Sequence, residues 1–316
     1  MTTKILIVRS SSLGDLIFML PAISDIAKHV PDAEIDWVVE DVFKEIPQWH
    51  PAIHTVIPIA HRKWRKSWWS AENRRARQLF KKELANTQYD IVLDMQALMK
   101  SAWVVRHAKG KKHGLDWSSA RESFASLFYD IKHKIDFWQP AVKRQRDLAS
   151  LVFGYHYDGP PDFGLQRFTD GVETQDYAVI MPSASRDDKL WPEDNWHAVF
   201  DVLSQKGLRL KLLAGNEKES QRAQALINGY PNAEVLPRMS LTDVAKVLAP
   251  ARIMVGLDSG LTHLSAALGR DTIGIYSAST PIRTPLVGSG FTASLGDRGV
   301  PPNRDMVISK IEQALS

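Results

Sequence analysis

Gly256-Leu257-Asp258-Ser259-Gly260-Leu261-Thr262-His263 is the stretch on which the reading of this chain turns. Ala251-Arg252-Ile253-Met254-Val255 before it reads as a short strand. Leu264-Ser265-Ala266-Ala267-Leu268-Gly269 after it reads as a helix lying close on a sheet. A strand, a glycine turn and a helix start together make an anion site. The free N–H groups of the first helical turn, the positive end of the helix dipole and the hydroxyls of Ser259 and Thr262 all suit a diphosphate, and Gly260 lets the backbone approach it. The plainer alternative is a capped turn that binds nothing.

Working outward, 316 residues suit two domains rather than one core. With 44% hydrophobic and 24% charged residues the chain reads as globular. It contains no cysteine, which excludes disulfides, thiolate chemistry and cysteine-held zinc. No run of apolar residues is long enough to span a bilayer. The chain enters a strand straight after Met1-Thr2-Thr3-Lys4, without the features of a signal peptide, so a cytoplasmic location is expected. The net charge of +4 conceals a strong asymmetry: residues 1–60 carry 4 basic and 8 acidic side chains, residues 61–146 carry 20 and 8. A local charge of +12 would draw in a polyanion, a phosphorylated lipid surface or a strongly acidic substrate.

Lys4-Ile5-Leu6-Ile7-Val8-Arg9 is an apolar run of strand length, as in a parallel sheet covered on both faces. Ser10 to Asp15 is the turn after it, and Leu16, Met19, Leu20, Ile23 and Ile26 then recur at helical spacing. Further strands are expected at 34–39, 53–59 and 89–94, and residues 123–156 read mainly as helix. Tyr157 to Gly164, with glycine and proline at its centre, reads as a linker. Past it the pattern restarts, with strands at 177–182, 234–237, 251–255 and 271–277, a strand and turn at 209–216, and a closing helix from Met306 to Leu315. The expectation is two Rossmann-like α/β domains, with ligands outside the carboxyl ends of their strands.

Asp15 stands where the first turn meets its helix, either as a dipole-stabilising acid or as a general base. The run His61-Arg62-Lys63-Trp64-Arg65-Lys66-Ser67-Trp68-Trp69 interleaves cations with tryptophan, suited to an anionic sugar or lipid headgroup or to nucleic acid. Lys109-Gly110-Lys111-Lys112-His113-Gly114 and Arg121 add cations. Asp187-Asp188 sits between Arg186 and Lys189 and is expected to form ion pairs or caps rather than hold a metal. Neither a HExxH metal motif nor a P-loop is present, and no G-x-G-x-x-G follows the first strand.

Three stretches taken together, Ile5 to Asp15, Arg186-Asp187-Asp188-Lys189-Leu190-Trp191-Pro192 and Asp258-Ser259-Gly260-Leu261-Thr262-His263, resemble the lipopolysaccharide heptosyltransferases of glycosyltransferase family 9. The resemblance implies a GT-B architecture of two facing Rossmann-like domains with a central cleft. An acceptor domain would cover 1–160 and a donor domain 165–302, with a last helix, 303–316, crossing back to the first. It implies inverting, metal-independent transfer of L-glycero-D-manno-heptose from ADP-heptose to the inner Kdo of Kdo2-lipid A, with no cofactor and no nucleic-acid partner. The enzyme would be cytoplasmic and peripherally associated with the inner membrane. Asp15 matches the catalytic base. Ser183, Ser185, Lys189, Glu219, Met239, Asp258, Ser259, Gly260, Leu261, Thr262 and His263 match the donor side. Ser12, Gly14, Arg62, Arg65, Lys66 and Arg121 match the acceptor side. Ala184 stands where a second hydroxyl is common. The alternatives are a family member with another acceptor, a nucleotide-sugar epimerase, and a basic RNA- or membrane-binding protein.

Overall fold

The computed structural model describes residues 2–184 and 186–316, so Ser185 lies outside the described residues. The chain divides into two compact units, residues 1–164 and 165–316.

In the first unit β1 (Thr3–Val8), β2 (Ala33–Glu40), β3 (Ile53–Ile59), β4 (Gln88–Asp94), β5 (Lys109–Leu115) and β6 (Ile131–His133) form one sheet. Its order is β3-β2-β1-β4-β5-β6 and every pairing is parallel. The apolar run in β1 has the burial its composition demands: Ile5, Leu6, Ile7 and Val8 are all fully buried. Two helices, Leu20–His29 and Ala141–Phe153, pack on one another. Between them the buried Arg146 grips Asp25 with both ends of its fork, Nε to Oδ2 at 2.7 Å and Nη2 to Oδ1 at 3.0 Å.

Two regions depart from expectation. Lys109 to Gly114, read in the sequence only as a source of cations, forms most of β5, of which only His113, Gly114 and Leu115 are buried. A strand so exposed over its first half has no apolar run to announce it. Gly114 is there for space, because a Cβ would lie 2.4 Å from the ring of Tyr129. Residues 123–156 are also less helical than expected. A short 3-10 turn, Ser123–Phe128, and β6 come before the helix Ala141–Phe153.

The second unit contains β7 (Gln175–Met181), β8 (Arg209–Leu212), β9 (Ala233–Val235), β10 (Ala251–Leu257), β11 (Asp271–Tyr276) and β12 (Thr292–Gly296). They pair in parallel in the order β12-β11-β10-β7-β8-β9. Counted from its own first strand, this sheet has the same order as the first, 3-2-1-4-5-6, so each sheet reverses direction between its first and fourth strands. Trp196, Val199, Phe200 and Leu203 of the helix Glu193–Gln205 fill the core. The last helix, Arg304–Ala314, adds Val307 and Ile311 to that core and packs on Glu193–Gln205, β11 and β12.

Candidate active site

In an open parallel sheet the strands on either side of the reversal diverge at their carboxyl ends and leave room for a ligand. In the first unit those ends are Arg9 to Asp15 after β1 and Met95 to Lys100 after β4. Arg9 extends from β1 with its guanidinium held by the carbonyl of Met95 and bonded to Asp15, Nη2 to Oδ1 at 2.8 Å. The other carboxylate oxygen of Asp15 accepts from the backbone N–H of Ser12 at 3.0 Å and from its hydroxyl at 2.8 Å. Burial pushes the Asp15 carboxyl up, but Arg9, the Ser12 donors and the charge of Arg121 outweigh it and hold the group below the usual carboxylate range. The Asp15 side chain is nevertheless 38% exposed. It is an ionised acid presented at the sheet edge rather than locked inside.

Around it lie groups that the sequence did not single out. Gln96 ties the two loops together, accepting from Ser10 N–H at 3.0 Å and donating to the Ser11 carbonyl at 3.0 Å. Lys100 donates to the Ser11 hydroxyl at 2.6 Å. Burial lowers the Lys100 ammonium pKa, partly countered by the nearby charges of Glu40 and Asp15. Glu40, buried at the end of β2, accepts from the backbone N–H of Arg62 at 2.8 Å and fixes the start of the helix His61–Lys66. The signal for Gln96, Lys100 and Glu40 was their place just past the end of β4 or at the end of β2, which is legible only once strand order is known.

The helix His61–Lys66 leaves Arg62, Arg65 and Lys66 exposed. Arg62 lies over Phe43, 4.9 Å from the ring centroid. The neighbouring tryptophans part company. Trp64 is buried edge-on to Phe80, Trp68 lies under the Arg77 guanidinium at 3.9 Å, and Trp69 is 82% exposed. Ser12 and Gly14 belong to the turn that holds Asp15, and Gly14 is half-buried in the first helical turn.

In the second unit the equivalent ends are residues 182–189 after β7 and 258–263 after β10. Ser259 caps the helix Gly260–Ala267, and its hydroxyl is 3.0 Å from that of Thr262. Thr262 is fully buried and donates to the Leu257 carbonyl at 2.6 Å. Gly256 allows this close approach, since a Cβ there would sit 2.8 Å from the Thr262 hydroxyl. Ser259, Gly260 and Leu261 are left half-buried at the helix start. Asp258 is held from several sides, by Lys189 at 2.7 Å, His263 Nε2 at 3.2 Å and the Ser279 hydroxyl at 2.5 Å. Lys189 also donates to the Asp258 carbonyl at 2.9 Å. Burial opposes ionisation of Asp258, but His263 and Lys189 override it and drive the carboxyl far below its ordinary value. Glu219 closes its own turn, accepting from Gly215 N–H and the Asn216 side chain, both at 2.7 Å. Met239 is half-buried in the loop after β9. Ser183 is fully buried, and its hydroxyl has no partner among the described residues. Asp187 pairs with Lys218 at 3.2 Å and Asp188 with Arg186, so the two neighbouring acids diverge.

Each unit thus gathers its candidate residues at the carboxyl edge of its own sheet. The first prepares an open carboxylate with cations around it, and the second a capped helix start with a tethered lysine.

Residues 77–311 match the family model described as glycosyltransferase family 9 (heptosyltransferase). Lipopolysaccharide heptosyltransferase 1 of Escherichia coli (strain K12) is 44% identical over 283 residues, covering 88% of this chain and 89% of that protein. The solved structure of E. coli heptosyltransferase WaaC with ADP superimposes with a TM-score of 0.93 at 40% identity, over 99% of this chain and 100% of the other. The same enzyme with ADP-2-deoxy-2-fluoro heptose gives 0.90 at 40% identity, over 98% and 99%. Family match, sequence identity and fold all lead to one assignment: the chain belongs to glycosyltransferase family 9, the heptosyltransferases.

Proposed function

We propose that this protein moves L-glycero-D-manno-heptose from ADP-heptose to the inner Kdo of Kdo2-lipid A, with inversion and without a metal. Asp15 carries the proposal. It is an exposed, ionised carboxylate at the strand reversal of the first sheet, oriented by Arg9 and Ser12. As the acceptor hydroxyl bonds to the anomeric carbon, its oxygen turns strongly acidic, so even a weakly basic carboxylate takes the proton at that stage. Arg62, Arg65, Lys66 and Arg121 hold the anionic acceptor. The departing ADP carries its developing charge to Lys189 and to the helix start at Gly260, with Ser259 and Thr262 beside it. Fixed donors do the work of a Lewis acid. Ser183, Leu261, His263, Glu219 and Met239 complete the nucleotide side, together with Ser185, which lies outside the described residues.

The acceptor is a lipid, so the enzyme works at the cytoplasmic leaflet of the inner membrane as a peripheral protein. Among the described residues no helix is long and apolar enough to cross a membrane. The test is ADP release from ADP-heptose in EDTA, with and without Kdo2-lipid A. Release that requires the acceptor and survives the chelator supports the reading; release abolished by EDTA sinks the metal-free mechanism.

A further inference from the structure

The loop after β4 reaches both oxygens of Asp15 through intermediaries. Its Met95 carbonyl accepts from the Arg9 guanidinium, which in turn meets Asp15 Oδ1 at 2.8 Å. Its Gln96 side chain enters the turn that holds Asp15 Oδ2. There Oε1 accepts from the Ser10 N–H at 3.0 Å and from the Ser10 hydroxyl at 2.9 Å, while Nε2 donates to the Ser11 carbonyl at 3.0 Å. A backbone donor at one end and a backbone acceptor at the other allow the amide one orientation. The Ser11 carbonyl and the Ser12 N–H belong to a single peptide group, and that N–H is the backbone donor to Asp15 Oδ2, at 3.0 Å. A hydrogen bond accepted by a peptide carbonyl polarises the N–H of the same group and strengthens the bond it donates. Gln96 is thus two hydrogen bonds from the carboxylate, with one peptide group between them.

The loop is itself fixed from the core. Asp94, at the end of β4, is fully buried. Its Oδ1 accepts from the N–H groups of Gln96 at 2.8 Å and Ala97 at 2.9 Å, and its Oδ2 from the Tyr129 hydroxyl at 2.7 Å. Ala97 has a φ of +53°, in the left-handed region, and its carbonyl accepts from the Glu122 N–H at 3.3 Å. A residue with a side chain keeps that conformation only where its surroundings hold it there. The buried acid therefore gives the Gln96 side chain a firm footing, as a group that aims another one needs. Lys100 bonds the Ser11 hydroxyl and leaves the Ser11 carbonyl to Gln96.

We propose that Gln96 is a positioning residue for the transfer reaction, holding the Ser11–Ser12 peptide so that its N–H fixes Asp15 in the orientation that takes the acceptor's proton. This deepens the function proposed above and rests on Asp15 acting as its base. The test replaces Gln96 in the full-length enzyme by Met, of similar length but without the amide bonds, and by Glu, which keeps the acceptor for Ser10 and loses the donor to Ser11. In both variants single-turnover transfer to Kdo2-lipid A should fall about tenfold or more, as for a misaimed catalytic group, while acceptor KM and ADP binding change by less than about twofold. The melting temperature should fall by only about 2–4 °C. Loss of the polarised N–H should also move the Asp15 titration, followed by carbon-13 NMR of its carboxyl in the free enzyme, to higher pH in Gln96→Met. The acid limb of the rate profile should move with it. A Gln96 that merely supports the fold would move neither. An unmoved Asp15 titration with wild-type turnover overturns the proposal, as does a raised acceptor KM with turnover intact, which would make Gln96 an acceptor contact. If the titration moves while turnover and its acid limb do not, the hold of Gln96 on Asp15 stands and the assignment of Asp15 as the base falls.

Discussion

The two units share a strand order and each places an aspartate beside a cation at the point of reversal, yet the two acids are set up for different work. Asp258 is 12% exposed and divides its oxygens among Lys189, His263 and Ser279. Asp15 is 38% exposed, with one oxygen on Arg9 and the other on the N–H and hydroxyl of Ser12. Burial makes the first a fixture that aims its neighbours. Partial exposure leaves the second free to meet a substrate. One topology therefore serves as scaffold for both, and exposure rather than the number of internal partners separates the two acids.

Exchanging each acid tests this difference most directly. Asp15→Asn keeps shape and much of the hydrogen bonding but removes the proton acceptor, so single-turnover transfer should fall by about 10²–10⁴ with ADP binding preserved. A variant that is destabilised yet transfers at the wild-type rate would reduce Asp15 to a helix-start acid. Asp258→Ala should cost about 3 kcal/mol of folding stability, because it strands the Lys189 ammonium among buried groups, and should weaken ADP binding as well. Denaturant melts that leave stability within experimental error of wild type would break the contrast.

The acceptor side gives a smaller effect. Replacing Arg62, Arg65 and Lys66 together by alanine should raise the acceptor KM by about tenfold while calorimetric ADP binding stays the same, as expected for lost contacts to an anionic acceptor. An unchanged KM would make these cations a solvated face.

Acid sharpens the comparison further. Burial holds His50 and His113, both in the first unit, down at about 4, against 6.5 for a free histidine. The unfolded chain therefore binds these protons first, and the stability they forfeit is lost as pH falls from 6.5 toward 4. Asp258, with its carboxyl depressed, acts in a lower window. Its contribution is complete above 3.8 and disappears as pH falls below that value. Melting temperature against pH should thus be less steep between 6.5 and 4 in His113→Asn, and less steep below 3.8 in Asp258→Asn. Identical slopes in wild type and variants would remove both assignments.

What could be read in the sequence follows from burial. β1, β4, β7 and β10 lie at the middle of their sheets and are covered on both faces, so each appears as an apolar run. β5, β6 and β12 lie toward sheet edges with half-exposed residues, and nothing in their composition separates them from loops. Asp15 and the 258–263 turn were legible because a helix start has a sequence signature, and Lys189 through the family resemblance. Gln96, Lys100, Glu40 and Ser279 were not, since each reaches its neighbours only through the sheet order that brings distant loops together. The tryptophan run misled in part. Spacing says nothing about which indole is inside, and packing put Trp64 in the core while leaving Trp69 in water.

The ion pairs of the second unit have a kinetic consequence. Lys189 is matched by Asp258, Arg186 by Asp188 and Lys218 by Asp187. At a distance greater than a Debye length these opposite charges cancel, and an approaching nucleotide meets little field until it is almost in contact. Its encounter rate should therefore be nearly indifferent to added salt, with recognition left to short-range geometry. The acceptor, approaching the strongly positive segment of the first unit, should be captured faster at low ionic strength. The two substrates would then be separable by stopped-flow mixing at two salt concentrations, one association rate falling and the other holding steady.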